Sequence, residues 1–129
     1  MDKTISEIKD LRPGSFVIID DAPCKVERID ISKTGKHGHS KARLEAIGIL
    51  DGRRRSIVGS GSDEVDVPII LKKKAQVLSL ANDKAQLMDM ESFEVFELDV
   101  PDEVKDKIIA GGEAMYFELV GIRTLRQIK

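Results

Sequence analysis

Between Ser32 and Lys41 the chain reads SKTGKHGHSK. Three lysines, both histidines of the protein and two glycines fall within these ten residues, with no acid and no large apolar side chain. A lysine ammonium is a single charge on a flexible stem and a common target of enzymatic modification. Gly35 and Gly38 place little bulk around Lys36 and tolerate positive φ. Together they predict a thin, exposed tip that can carry Lys36 into a narrow site.

Other chemistries fit the same residues less well. His37 and His39 form an H-x-H pair, with Cys24 as a distant third ligand. Structural zinc takes four ligands, usually in closely spaced pairs, and the chain has no other histidine or cysteine, so no metal is expected. A phosphate-binding loop requires glycine, four residues, then Gly-Lys-Ser/Thr; here Asp30 stands at the first glycine and His37 at the hydroxyl residue. A Lys36 nucleophile with His37 as base would need a pocket that lowers the lysine pKa. A glycine-flanked loop offers little desolvation, so neither an enzyme nor a catalytic residue is expected.

RNA contact fits better. The loop is cationic, and Arg53, Arg54 and Arg55 follow on the expected return strand, where both could face one phosphate surface. The competing reading of these runs is a solvated face. Phe93, Phe96, Tyr116 and Phe117 sit in apolar runs and read as core rather than as a base-stacking platform.

The elements that must position the loop are strands. Ser15–Asp20 is a β-branched run after the turn Pro13-Gly14, and Asp20–Pro23 reads as a second turn. Cys24 and Val26 then alternate with Lys25 and Glu27, and Ala42, Leu44 and Ala46 with Lys41, Arg43 and Glu45. The basic stretch is therefore a hairpin loop, longer than the usual two to five residues. Asp51-Gly52 signals the next hairpin, returning through RRRSIVG. Gly59–Pro68 reads as a loop. In the second half KAQLMDM, SFEVFELDV and EAMYFELV read as strands, and GIRTLRQIK as a closing one. Val100-Pro101-Asp102-Glu103 opens a short helix, with Asp99 as N-cap and Gly111-Gly112 as its stop. The expected fold is mainly all-β: two small barrels, the second of oligonucleotide-binding type with one short helix, divided as residues 1–70 and 71–129.

Composition agrees with this frame. The 129 residues are 41% hydrophobic but only 4% aromatic, without tryptophan, so the cores rest on Ile, Val, Leu and Met. Net charge is -2, with no acid between Asp30 and Glu45; any affinity for polyanions would be local. A single cysteine excludes a disulfide within the chain and fits a reducing compartment. No apolar run approaches the roughly 20 residues of a membrane span, and the first ten residues lack a signal-peptide core. A soluble, cytoplasmic protein is expected.

The segment Lys33-Thr34-Gly35-Lys36-His37-Gly38-His39-Ser40-Lys41 resembles the modification loop of the archaeal and eukaryotic translation factor 5A family, the hypusine-containing proteins, here of archaeal type. Ser40 replaces the usual alanine. LRPGSFVIIDDAPCKV resembles the family's first strands and VDVPII its domain junction. The resemblance implies an SH3-like N-terminal barrel followed by an OB-fold barrel. It implies that Lys36 is the residue to which deoxyhypusine synthase transfers an aminobutyl group from spermidine, later hydroxylated to hypusine or left as deoxyhypusine, with no separate cofactor. It implies binding to the ribosome near the exit site, stabilisation of peptidyl-tRNA, and promotion of peptide-bond formation, both of the first peptide bond and in elongation through stalled proline-rich stretches. Lys33, Thr34, Gly35, His37, Gly38, His39 and Lys41 would contact RNA or the synthase. Two readings stay open: a modification-dependent ribosomal factor, and a general RNA-binding barrel protein.

Overall fold

The computed structural model describes residues 3–34 and 39–128, and these form two compact units, Met1–Ile69 and Ile70–Lys129. The first is a sheet of six strands: β1 (Lys3–Glu7), β2 (Phe16–Ile19), β3 (Ala22–Thr34), β4 (His39–Gly48), β5 (Arg54–Ser60) and β6 (Glu64–Pro68). Their order across the sheet is β1-β6-β2-β3-β4-β5. The second holds β7 (Leu71–Ala81), β8 (Lys84–Asp89), β9 (Val95–Asp99), β10 (Glu113–Leu119) and β11 (Ile122–Thr124), ordered β11-β10-β7-β8-β9. The architecture is an SH3-like barrel followed by an OB-type barrel.

Short hairpin turns set the registers. Asp20 and Asp21 join Ile19 to its partner Ala22 with φ of 51° and 63°, and Asn82 and Asp83 join Ala81 to Lys84 with φ of 52° and 63°. Two consecutive residues in the left-handed region make the turn whose twist matches paired strands, and Asp and Asn tolerate that region better than most side chains.

Alternation then fills the cores. In the first unit Val17, Ile19, Cys24, Val26, Ala42, Leu44 and Ala46 are buried from three neighbouring strands, closed over by Ile8 and Leu11. Ile8 and Lys9 donate their backbone N–H groups to Asp63 O (3.0 Å) and Gly61 O (2.9 Å). In the second, Ala75, Val77, Ala85, Leu87, Ala114 and Tyr116 point inward, under Val104, Ile108 and Leu125. The barrel seam between β9 and β11 is held by Arg123. Its guanidinium lies 4.4 Å over the Phe96 ring, binds both Glu94 oxygens at 2.6 and 3.0 Å, and donates from Nε to Glu118 at 2.9 Å. Its pKa is raised, chiefly by the hydrogen bonds to Glu94, and that of Glu94 is lowered by the same contact.

Three expectations are corrected. The Gly59–Pro68 segment is not all loop: Glu64–Pro68 is a strand inside the sheet, pairing with β1 along its length and with β2 at Ile18↔Asp66. Its acidic, serine-rich lead-in hid the alternation of Val65 and Val67, which pack on the first core. The helix expected after Val100 is only a 3-10 turn, Asp102–Val104. Pro101 occupies the N-cap position without a capping side chain, while Asp99 ends β9 opposite Lys84. Gly111 and Gly112 bridge to β7 rather than stopping a helix: Gly111 N–H donates to Val77 O and Val77 N–H to Gly112 O, both at 2.8 Å. The third correction concerns the hairpin loop, described below.

Asp89 is the buried charged residue of the second core, 5% exposed. It accepts the Tyr116 hydroxyl and the Glu91 and Ser92 N–H groups, the last two at 2.8 Å. These bonds, that from Tyr116 foremost, hold its carboxyl well below the usual carboxylate range, while burial and Asp89 push the Tyr116 hydroxyl up. A depressed folded-state pKa stabilises at pH above the unfolded value, about 3.9, and this stabilisation is lost as pH falls through and below that value. Tyr116 is the single tyrosine and there is no tryptophan, so its fluorescence reports on this unit. We expect the tyrosine-monitored urea midpoint to fall between about pH 5 and pH 2. Asp89→Asn should flatten part of that slope and cost about 1–3 kcal/mol at neutral pH. An unchanged acid slope in the variant would assign the dependence to Glu94 and Glu118 instead.

Candidate functional site

The segment that carries the candidate chemistry joins the two longest paired strands of the first unit. β3 and β4 pair from Cys24↔Gly48 to Thr34↔His39, with one bulge between Val26 and Arg28. The ladder runs on through Ser32↔Lys41 and Lys33↔Ser40. Of the ten residues expected to be loop, six are thus strand, and four lie between the paired ends. Backbone pairing continued where side-chain burial ended, which composition could not show. Gly35, Lys36, His37 and Gly38 lie outside the described residues.

Alternation assigns faces to the flanking residues. Lys33 and its partner Ser40 share the face of the buried Ala42, whereas Lys41 lies with Ser32 on the opposite face. The two lysines therefore flank the hairpin end from both sides rather than forming one patch. Lys33 is exposed, and among the described residues neither lysine takes part in an ion pair. Arg43 is engaged by Glu45 at 3.4 Å and Arg28 by Asp30 at 3.0 Å.

Ser40 ties the hairpin to the rest of its barrel. Its Oγ accepts the Gly61 N–H at 3.1 Å, in the turn that follows β5. A Cβ on Gly61 would lie 2.7 Å from that oxygen, so the contact requires glycine for space. The same turn is locked by Asp63, whose Oδ2 accepts the Ser60 N–H at 2.9 Å and would lie 2.3 Å from a Cβ on Gly59. The sequence carried a signal for this clamp, the glycine alternation in Gly59-Ser60-Gly61, but nothing in it named Ser40 as the partner.

The arginine run is elsewhere. Ser60 pairs with Lys41, whereas Arg54 pairs with Ile47. Six residues of extended strand, about 20 Å, separate these two positions, so Arg53, Arg54 and Arg55 lie at the end of the sheet away from the hairpin tip. Arg55 binds Asp51 through both nitrogens at 2.8 and 3.1 Å, and its side chain is 15% exposed. Asp51 also accepts the Arg53 N–H at 3.0 Å. The Arg55 contact, first of these, drives the Asp51 pKa down and raises that of Arg55 in turn. Gly48 completes this clamp, since a Cβ there would lie 2.0 Å from Asp51 Oδ1. Arg54 binds Glu27 at 2.7 Å. Two of the three arginines thus serve the β4–β5 turn and the β3 bulge. Cys24 is fully buried in the first core, with its thiol donating to Ala22 O at 3.4 Å and its pKa raised by burial.

The paired ends of this hairpin thus carry Lys33 on one face and Lys41 on the other. Comparison with known proteins gives the class: residues 3–62 match the profile of the translation initiation factor 5A-like N-terminal domain, a class of translation factors rather than enzymes. Translation initiation factor 5A of Archaeoglobus fulgidus is 48% identical over 95% of both chains, and that of Pyrococcus furiosus 48% identical over 99% of this chain and 96% of its own. A solved structure of eukaryotic translation initiation factor 5A from Methanococcus jannaschii superposes with a TM-score of 0.86 at 37% identity, covering 95% of this chain and 92% of that one. The chain belongs to the translation initiation factor 5A family.

The Ser40 clamp is directly testable. Ser40→Ala should remove the acceptor of the Gly61 N–H, speed exchange of that amide in hydrogen-exchange measurements, and destabilise the first unit by about 1 kcal/mol. Unchanged Gly61 protection would show that the bond contributes nothing in solution.

Proposed function

We propose that this translation factor acts through a spermidine-derived arm on Lys36, and that the hairpin delivers that arm to the ribosome. The observation that carries the reading is Lys36 within KTGKHGHSK, enclosed by a ladder that is paired up to Thr34↔His39. Deoxyhypusine synthase would transfer the aminobutyl group of spermidine: a bond forms between the Lys36 nitrogen and the aminobutyl carbon, the carbon–nitrogen bond of spermidine breaks, and 1,3-diaminopropane leaves with the proton given up by the lysine amine. The product, deoxyhypusine, or hypusine where a separate oxygen-dependent hydroxylation follows, carries a second amine farther from the backbone. Bound near the exit site, such an arm reaches phosphates and hydroxyls of peptidyl-tRNA and holds its acceptor end in a reactive geometry. Ordering a substrate in this way lowers the entropic part of the barrier while the ribosome performs the chemistry. Lys33 and Lys41, on opposite faces, would contact RNA on either side of the entering hairpin. Thr34, Gly35, His37, Gly38 and His39 complete the segment that the synthase and the ribosome would read. We assign the protein to the cytoplasm with the ribosomes it serves; among the described residues no helix is long and apolar enough to cross a membrane.

The arrangement of Arg53, Arg54 and Arg55 counts against a general RNA-binding surface. They are remote from the hairpin tip, and two are held by carboxylates.

Lys36→Arg separates the two readings. Arginine keeps the charge but cannot accept the aminobutyl group. The variant should melt like the parent, gain no mass when incubated with synthase and spermidine, and fail to relieve stalling on a proline-rich template. Full activity of that variant would remove the modification from the mechanism. Under the general RNA-binding reading the outcome reverses: Lys36→Arg is nearly silent, and neutralising Arg53, Arg54 and Arg55 weakens RNA binding and lowers its salt slope.

A further inference from the structure

The first sheet narrows toward the end of its long hairpin. β4 pairs with β5 from Ile47↔Arg54 to Lys41↔Ser60, where β5 stops. On the other side, β2 pairs with β3 only from Ala22 to Lys25. Beyond the row of Ser32, Lys41 and Ser60, the pairs Lys33↔Ser40 and Thr34↔His39 have no third strand beside them among the described residues. A lone two-stranded ribbon is marginally stable in water. The direction of this overhang therefore depends on what holds its base.

Ser40 supplies that hold. Its hydroxyl accepts the Gly61 N–H at 3.1 Å, one residue past the last pair with β5. Gly61 is itself fixed to the barrel. Its carbonyl accepts the Lys9 N–H at 2.9 Å, and the Asp63 carbonyl accepts the Ile8 N–H at 3.0 Å. Ile8 is buried in the first core. The tie thus runs from the overhang through one peptide unit to a segment anchored by a core side chain. Ser40 follows Lys36 by four residues. The alanine usual at this position of the motif offers no acceptor, so the tie is this chain's own.

We propose that Ser40 is a positioning residue for the modification of Lys36, its hydroxyl setting, through Gly61, the angle at which the overhang leaves the barrel. The inference rests on the reading that Lys36 accepts the aminobutyl group. A side chain entering a narrow site must arrive in one orientation, and a segment already held there loses less conformational freedom on binding. Ser40 acts through the turn and not by touching the synthase. Its effect is on binding rather than on bond formation, so untying the overhang raises KM and leaves kcat unchanged.

The test uses the full unmodified chain and three variants. Ser40→Ala removes the acceptor, and Ser40→Thr keeps a hydroxyl. Gly61→Ala keeps Ser40 but sets a Cβ 2.7 Å from its oxygen, so the hydroxyl must turn away, while the Lys9 Cβ stays at an ordinary 3.5 Å. Initial rates of mass gain on Lys36 are measured against chain concentration, with deoxyhypusine synthase and saturating spermidine, at a temperature where circular dichroism shows every chain folded. Ser40→Ala and Gly61→Ala should each raise KM about fivefold at constant kcat, the effect of one lost hydrogen bond. Ser40→Thr should match the parent. Amide order parameters of Lys33 and Thr34 from NMR relaxation should fall in Ser40→Ala and Gly61→Ala. A raised KM in Ser40→Ala but not in Gly61→Ala overturns the proposal, since the hydroxyl then contacts the synthase directly. Unchanged KM in both, a fall in kcat alone, unchanged order parameters, or a threonine chain that behaves like the alanine one overturns it as well. A parent chain that gains no mass on Lys36 removes the modification reading itself, and the proposal with it, before any variant is compared.

Discussion

The register of β3 against β4 is the constraint on which the first unit depends. Ala42, Leu44 and Ala46 are buried and alternate with Lys41, Arg43 and Glu45. A slip of one residue would exchange these sets, putting three charges into the core. That penalty fixes the ladder, and the ladder in turn fixes which residues flank the hairpin end and on which face. The positions of Lys33 and Lys41 are thus set by apolar residues several positions away. Clamps at both ends of β5 reinforce the register: Asp51 with Arg55 at one, Ser40 with Gly61 and Asp63 at the other. Each needs a glycine, Gly48, Gly59 or Gly61, because a side-chain oxygen occupies the space of its Cβ.

Much of this was legible in the residues. The alternation from Cys24 to Val26 and from Lys41 to Ala46 gave β3 and β4, and Asp51-Gly52 marked a turn between strands; the turn read over Asp20–Pro23 is shorter, since Ala22 and Pro23 already pair within β3. What composition obscured was pairing without burial. Ser32, Lys33 and Ser40 look like loop because they contribute no core side chain, yet their backbones stay in the ladder. The arginine run was misplaced for a related reason. Arg54 and Arg55 are on the return strand as expected, but antiparallel pairing sends the start of that strand to the far end from the tip. In the second unit, Pro101 and Gly111-Gly112 bracket a helix-like span. Val104 and Ile108 must both reach the core, and a tighter turn does this. Phe93, read as core, is exposed. Its left-handed conformation had no sequence signal, since it belongs to a turn closed by backbone bonds from Phe93 N–H to Asp89 O and from Asp89 N–H to Glu94 O.

The two units solve closure differently. In the first, the chain before β2 lies across the sheet, and Ile8 and Leu11 complete a wholly apolar core. In the second, polar groups take part. Asp89 gathers a hydroxyl and two amides, and Arg123 joins the two edge strands through the Phe96 ring and the Glu94 carboxylate, while Glu118 on β10 accepts from its Nε. With few aromatic residues available, the second barrel places Phe96 where it serves both arrangements, 5.0 Å from the Tyr116 ring and beneath the Arg123 guanidinium.

A seam made this way responds to heat differently from an apolar one. Removing charged groups from water becomes less unfavourable as temperature rises, because their hydration carries a strongly negative entropy, while the gain from apolar burial levels off. The guanidinium and the Glu94 carboxylate therefore hold the barrel edges relatively better in hot surroundings than in cold. The edge-to-edge seam of the second unit is joined by the kind of contact that warming weakens least.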